Sequence, residues 1–155
     1  VLENESIKLL ETKIENLTEI IEIEKKYSQF IGQYDITRHR EVLTNKDEKH
    51  VSIFNKSNNI LIGYVILAGL LNKDHVIEFR RIALLKRGLG YGSMAIKLIK
   101  AFCFKHYKAK KIWLDVFTDN EKAIILYKRE GFVKENEIKA PHEGARSVYI
   151  MSITK

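Results

Sequence analysis

Three glycines alternate through Arg87-Gly88-Leu89-Gly90-Tyr91-Gly92-Ser93, between an apolar stretch at Val76 to Leu84 and an amphipathic stretch at Met94 to Tyr107. A helix start leaves about four backbone N–H groups without intrahelical acceptors and carries the positive end of the helix dipole. Removing side chains at that point lets an anion approach the amides closely. The residue types therefore describe a pyrophosphate cradle made of backbone. A Walker loop would close on Gly-Lys-Ser/Thr, which Gly92-Ser93-Met94 does not supply. A dinucleotide fingerprint would read Gly-x-Gly-x-x-Gly, with an acidic residue about 20 positions on. A ligand-free turn between strand and helix is the plain alternative.

A second segment carries side chains capable of proton chemistry. After the apolar run Lys111-Ile112-Trp113-Leu114-Asp115-Val116 comes Asn120-Glu121-Lys122-Ala123-Ile124-Ile125-Leu126-Tyr127-Lys128-Arg129-Glu130-Gly131-Phe132. Asn120 and Tyr127 are seven apart and share one helix face, with Ala123 between them. Glu78, on the strand before the glycines, is followed at once by Arg80 and Arg81. A carboxylate there is a candidate proton acceptor, and equally a partner in a structural ion pair.

Arg-x-x-Gly-x-Gly at Arg87 to Gly92, then a strand, then Asn-x-x-Ala-x-x-Leu-Tyr-x-x-x-Gly-Phe at Asn120 to Phe132, resembles the GCN5-related N-acetyltransferase superfamily. Glu78-Phe79-Arg80-Arg81-Ile82 is similar to its bacterial small-molecule and ribosomal-protein branches. The resemblance implies an α/β (α+β) fold, a mixed central sheet of six to seven strands flanked by helices on both faces. It implies acetyl-CoA as cofactor, its pyrophosphate on Arg87, Gly88, Leu89, Gly90, Tyr91, Gly92 and Ser93. Its pantetheine arm would pair with Ile82, Ala83 and Leu84 as an added strand does. It places Asn120 and Ala123 along that arm, Tyr127 near the thioester sulfur as general acid, and Glu78 as general base. No residue suits an acetyl-enzyme, so direct attack by a primary amine in a ternary complex is expected. The acceptor, a small amine or a protein amino group, would be walled by Glu15 to Lys49 and by the hairpin around Ala140 to Arg146. Phe30, Tyr34, Glu135, Glu137 and Glu143 are candidates there. A binding module without catalysis is the rival reading; it would need the glycines and could dispense with Tyr127.

These residues require elements to hold them. A β-α-α-β-β-β-α-β-α-β-β order follows from the periodicity. Strands fall at Ile7–Thr12, Val51–Phe54, Ile60–Leu67, the run ending at Leu84, Lys111–Val116, Phe132–Ile138 and Ser147–Ile153. Helices are predicted over Glu15–Ser28 and Thr37–Thr44. Met94, Leu98, Phe102 and His106 are expected on one face of the helix after the glycines. Thr118-x-x-Glu121 reads as a capping box for the last helix.

The 155 residues fit one domain, and 45 % hydrophobic with 30 % charged residues is ordinary for a globular chain. The formal charge of +7 comes from lysines scattered over several segments, so no nucleic-acid stripe forms. No apolar run reaches the ~20 residues of a membrane span. Five histidines lack metal-ligand spacing, so no metal is expected. Cys103 is the single cysteine, which suits a cytoplasmic location and a packed thiol. A homodimer is an open possibility.

Overall fold

A computed structural model of the chain describes residues 2–26, 34–84 and 90–155. One mixed sheet of eight strands organises it: β1 (Leu2–Glu3), β2 (Ile7–Glu11), β3 (Glu48–Asn55), β4 (Leu61–Ala68), β5 (Val76–Leu84), β6 (Lys111–Phe117), β7 (Val133–Ile138) and β8 (Val148–Thr154), in the order β1-β2-β3-β4-β5-β6-β8-β7. The helices are α1 (Leu17–Lys26), α2 (Ile36–Thr44), α3 (Tyr91–Lys105) and α4 (Glu121–Arg129). The sheet exceeds the expected six to seven strands because β1, two residues long, pairs with β2 through Leu2 and Glu3. Two residues are too few to show a period. None of the described helices is long and apolar enough to cross a membrane.

Every residue of β4 is buried, which fits a strand covered on both faces. On one face Val51, Ile53, Val65, Leu67, Ile112, Leu114 and Val116 pack with Ile96, Ile99 and Cys103 of α3 and Ile124 and Tyr127 of α4. On the other, Tyr64, Ile66 and Ala83 meet Leu17, Ile20 and Ile23 of α1 and Val42 of α2. The expected face of α3 is not its most buried one. Its buried stripe is Ala95, Ile96, Ile99 and Cys103, while Met94 and Leu98 pack only partly and Phe102 stacks on His106. Apolar residues surround much of this helix, so the sequence offers two competing stripes. Burial pushes the Cys103 thiol up to about 12, as expected of a packed, inert cysteine.

The α1/α2 face also encloses a chain of polar side chains. Tyr64 Oη donates to Glu24 Oε2 at 2.6 Å, and His39 Nε2 meets Glu24 Oε1 at 2.7 Å. His39 Nδ1 lies 3.1 Å from His50 Nε2, and His50 Nδ1 lies 2.8 Å from Thr12 Oγ1, which in turn meets Ser52 Oγ at 2.6 Å. All six residues are buried. Burial, and then the neighbouring His39, pulls His50 down to about 3. Burial beside Glu24 pushes the Tyr64 phenol far upward, so it remains a donor.

The site depends on how β5 leaves β6. Their parallel ladder holds only at Val76↔Lys111, Ile77↔Ile112 and Glu78↔Trp113. On its other edge β5 stays paired with β4 to its end, at Gly63↔Leu84. A bulge inserts Arg80 between Phe79, opposite Leu67, and Arg81, opposite Ile66. Gly63 allows the close approach that keeps β5 on β4: a Cβ there would sit 2.2 Å from the Ala83 carbonyl oxygen.

Candidate active site

A cavity of about 410 Å³ occupies the gap between the diverging ends of β5 and β6. Phe79–Leu84 wall one side and Asp115–Phe117 the other, while Gly90–Ser93 at the start of α3 and Asn120, Ala123, Leu126 and Tyr127 around α4 close it. Backbone groups of β5 that would have bonded to β6 face this gap. An extended amide-bearing chain could pair with Ile82–Leu84 there, in the manner of an added strand.

The start of α3 is shaped for an anion. Gly90 is its N-cap, in the left-handed region at φ 78°, and provides no side-chain cap. The amides of the first helical turn thus open onto the cavity without a side chain competing for them. Gly92 faces Leu126 and Leu84; a Cβ there would lie 2.9 Å from Leu126 Cδ2. A coenzyme A pyrophosphate and pantetheine fit this combination of bare helix start and unpaired strand edge. Ser93 can contribute only its amide, because its hydroxyl donates to Glu130 Oε2. Lys97 and Lys100 in turn balance the buried Glu130 carboxylate, each at 3.8 Å. The Tyr91 hydroxyl accepts from Asn55 Nδ2 at 3.2 Å, which ties the helix start to β3. Arg87, Gly88 and Leu89 lie outside the described residues.

α4 begins at Asn120, not at the Thr118 capping box. The Asn120 side chain accepts from Ala123 N at 3.4 Å. Asn120 takes the N-cap position itself, so the Thr118-x-x-Glu121 pattern falls two residues ahead of the observed cap. Asn120 also lines the cavity, so one side chain caps the helix and borders the site. Tyr127 is buried to 7 % exposure, packs near Phe132 and reaches the cavity wall.

Glu78 is placed differently from its expected role. Its Oε1 accepts from Arg80 Nε at 3.2 Å and Nη2 at 3.0 Å, and it is absent from the described lining of the cavity. Arg80 also donates to Glu48 at 3.2 Å, and Arg38 Nη2 donates to both Glu48 oxygens. Glu78 thus holds a guanidinium at the site. Of the acceptor-side candidates, Tyr34 lies beneath Arg81, whose guanidinium carbon is 3.8 Å from the ring centroid. Glu135 instead pairs with Lys111 and Ser152 across the far strands, which holds its carboxyl below the usual range. Glu137 and Glu143 are exposed outside the described cavity wall, and Phe30 lies outside the described residues.

Asp115 is the residue that sequence reasoning passed over. Its neighbours Leu114 and Val116 point into the α3/α4 core, so Asp115 faces the opposite side, where Arg80 and Arg81 lie. It is open to the cavity, yet the surrounding protein raises its carboxyl above the ordinary range. Partial desolvation of this otherwise exposed side chain outweighs the opposing pull of Arg81 and Arg80. The signal was an acid at an alternate position of an otherwise apolar strand.

The GNAT acetyltransferase family model matches residues 14–132. No curated protein sequence matches the chain. Among solved structures, the spermidine N-acetyltransferase from Vibrio cholerae, in complex with CoA and spermine, superposes with a TM-score of 0.84 at 21 % identity; the match covers 97 % of this chain and 96 % of that one. A GNAT-family acetyltransferase from Bacillus anthracis gives 0.82 at 18 % identity, over 99 % and 97 %. At these identities the likeness establishes the fold.

Proposed function

Because the chain belongs to the GNAT acetyltransferase family, we propose that Asp115, Tyr127 and the start of α3 divide the work of acetyl transfer between them. The chain is an acetyl-CoA-dependent N-acetyltransferase. The observation that carries the division of labour is the single cavity on which all three open. The amides of Gly90–Ser93 hold the pyrophosphate, and the free edge of Ile82–Leu84 holds the pantetheine arm. Bound acetyl-CoA supplies an acyl group activated on a thiol whose reference pKa is about 8.5.

The acceptor amine enters beside Asp115. Its ammonium form donates to that carboxylate, which takes the proton directly or through a water. Arg80 and Arg81 disfavour a further positive charge nearby, and this shifts the amine toward its neutral, nucleophilic form. Tyr127 holds on its Oη the proton that a departing thiolate needs. Glu78 positions Arg80. Direct attack by the amine in a ternary complex fits this arrangement, since no cysteine is among the described lining residues and the Ser93 hydroxyl is turned to Glu130.

Thermal unfolding with coenzyme A, ATP and NAD separately tests the cofactor site. At about 100 times the dissociation constant, coenzyme A should add roughly 2.7 kcal/mol and raise the melting temperature by several degrees. A shift with ATP or NAD and none with coenzyme A would overturn the assignment. Thiol release on adding amines separates an enzyme from a binding module. Tyr127→Phe should then lower kcat by roughly 10- to 100-fold, the modest end of general-acid effects, because a thiolate leaves tolerably well unprotonated. An unchanged kcat would make Tyr127 a packing residue only.

The acceptor is a small-molecule amine. The Vibrio cholerae relative was crystallised with spermine, and polyamines are therefore one class to assay.

A further inference from the structure

The helix that offers the anion-binding amides and the helix that carries Tyr127 are joined through one buried carboxylate. Ser93, Lys97 and Lys100 stand at the i, i+4 and i+7 positions of α3 and so share one of its faces. All three meet Glu130, the C-cap of α4. The Ser93 hydroxyl donates to Glu130 Oε2, and Lys100 Nζ donates to the Glu130 carbonyl oxygen at 2.6 Å. Ser93 and Lys100 lie about two helical turns apart, so together they fix the direction of α3 against α4 as well as its distance.

Glu130 is tied equally to Tyr127. Its amide donates to the Tyr127 carbonyl oxygen at 3.1 Å, and the Phe132 amide donates to the same oxygen at 3.0 Å. On the cavity side α3 and α4 touch where Gly92 faces Leu126, with no room for a Cβ between them. That contact alone would leave α3 able to turn about it; Glu130 supplies further points. The Glu130 side chain is only 3 % exposed. A carboxylate so buried carries a desolvation cost that an apolar residue of similar size avoids, so packing gives no reason for its presence.

Resting on the acetyltransferase reading, we propose that Glu130 is a positioning residue for acetyl transfer. It sets the span between the pyrophosphate amides at the start of α3 and the Tyr127 hydroxyl. A donor held at both ends of that span presents its thioester sulfur to Tyr127 in register. Pyrophosphate binding is thereby realised as alignment of the reacting atoms, beyond affinity alone. Glu130 is absent from the described lining of the cavity, so it acts through Ser93 and α4.

The test compares acetyl-CoA with S-acetylpantetheine, which has the same thioester arm and lacks the pyrophosphate. Thiol release is followed with spermidine, ornithine and ethylamine offered separately, and the best-accepted amine is carried through. Glu130→Leu strands no cation, because Lys97 is largely exposed and Lys100 keeps the carbonyl at position 130. It should lower kcat with acetyl-CoA about tenfold, less than the misplacement of a reacting atom by an ångström can cost. KM for acetyl-CoA should stay within about threefold of the parent, and the coenzyme A melting shift should persist. With S-acetylpantetheine, anchored only at the thioester end, kcat/KM should change by less than about twofold. Glu130→Gln, which keeps an oxygen for the Ser93 hydroxyl, should restore most of kcat. Ser93→Ala breaks the same bond while leaving its amide for the pyrophosphate; it should reproduce the selective loss, and serves if the leucine variant folds poorly. Equal losses on both donors would make Glu130 a packing residue and overturn the inference. So would an unchanged kcat, a raised KM with kcat intact, or loss of the coenzyme A shift. Should S-acetylpantetheine react too slowly to measure, the division between kcat and KM for acetyl-CoA decides alone. Failure of the parent protein to bind coenzyme A, or to acetylate any of the amines, would instead remove the reading on which the inference rests.

Discussion

Asp115→Asn should retain the coenzyme A melting shift and lose about 10²- to 10³-fold in kcat/KM for every amine accepted, the range of a positioned proton acceptor. The reason lies in the strand. Ile112, Leu114 and Val116 anchor β6 in the α3/α4 core, which forces Asp115 onto the face where an acceptor can reach the gap. Asparagine keeps the size and removes both the charge and the ability to take a proton. The pH profile supplies a second signature. Asp115 is active as the carboxylate, so kcat/KM of the parent protein should fall as pH drops through its pKa. That pKa lies above the ordinary aspartate range because partial desolvation outweighs the pull of the two arginines. The acid limb should disappear in Asp115→Asn. Glu78→Gln is the necessary counterpart. It loosens one hold on Arg80 while Glu48 keeps the other, so its loss should stay below about tenfold. A large loss in Glu78→Gln, with Asp115→Asn near the parent, would reverse the two assignments.

That contrast marks what a sequence can display. The glycines before α3 and the Asn120–Tyr127 pair are legible because one helical period or one turn fixes their geometry. The structure brings the described members of both to a single cavity. Glu78 and Asp115 differ by a tertiary fact: β5 and β6 are paired at Glu78↔Trp113 and apart beyond it, so an acid before the split meets an ion pair and an acid after it meets a cavity. No local pattern announces where two parallel strands diverge. The buried stripe of α3 was obscured because its apolar residues exceed one face. Glu24 left a usable mark, since it stands seven residues after Leu17 and four after Ile20, inside the buried stripe of α1. Its partners, 15 and 40 positions along the chain, left none.

Those partners make the buried polar chain a sensitive point for stability. His39→Ala should cost about 2–4 kcal/mol, from the lost bond to the buried Glu24 and the cavity left by the ring, and lower the melting temperature by roughly 10 °C. Glu24 would keep Tyr64 on one oxygen and only the Tyr34 amide on the other, while His50 would lose its contact at Nε2. The same chain should make the fold sensitive to acid. His50 is pulled down to about 3 in the folded protein, against about 6.5 when unfolded. Between those values the unfolded state binds the extra proton, so stability falls as pH drops, by up to about 1.4 kcal/mol per unit, and levels off below the folded pKa. Unfolding by urea from pH 7 to 4.5 would show the slope, in a range where most carboxylates are still ionised. His50→Gln removes the titrating group and should flatten it. An equal slope in both proteins would mean that the acid sensitivity arises elsewhere, and that the imidazole of His50 contributes packing alone.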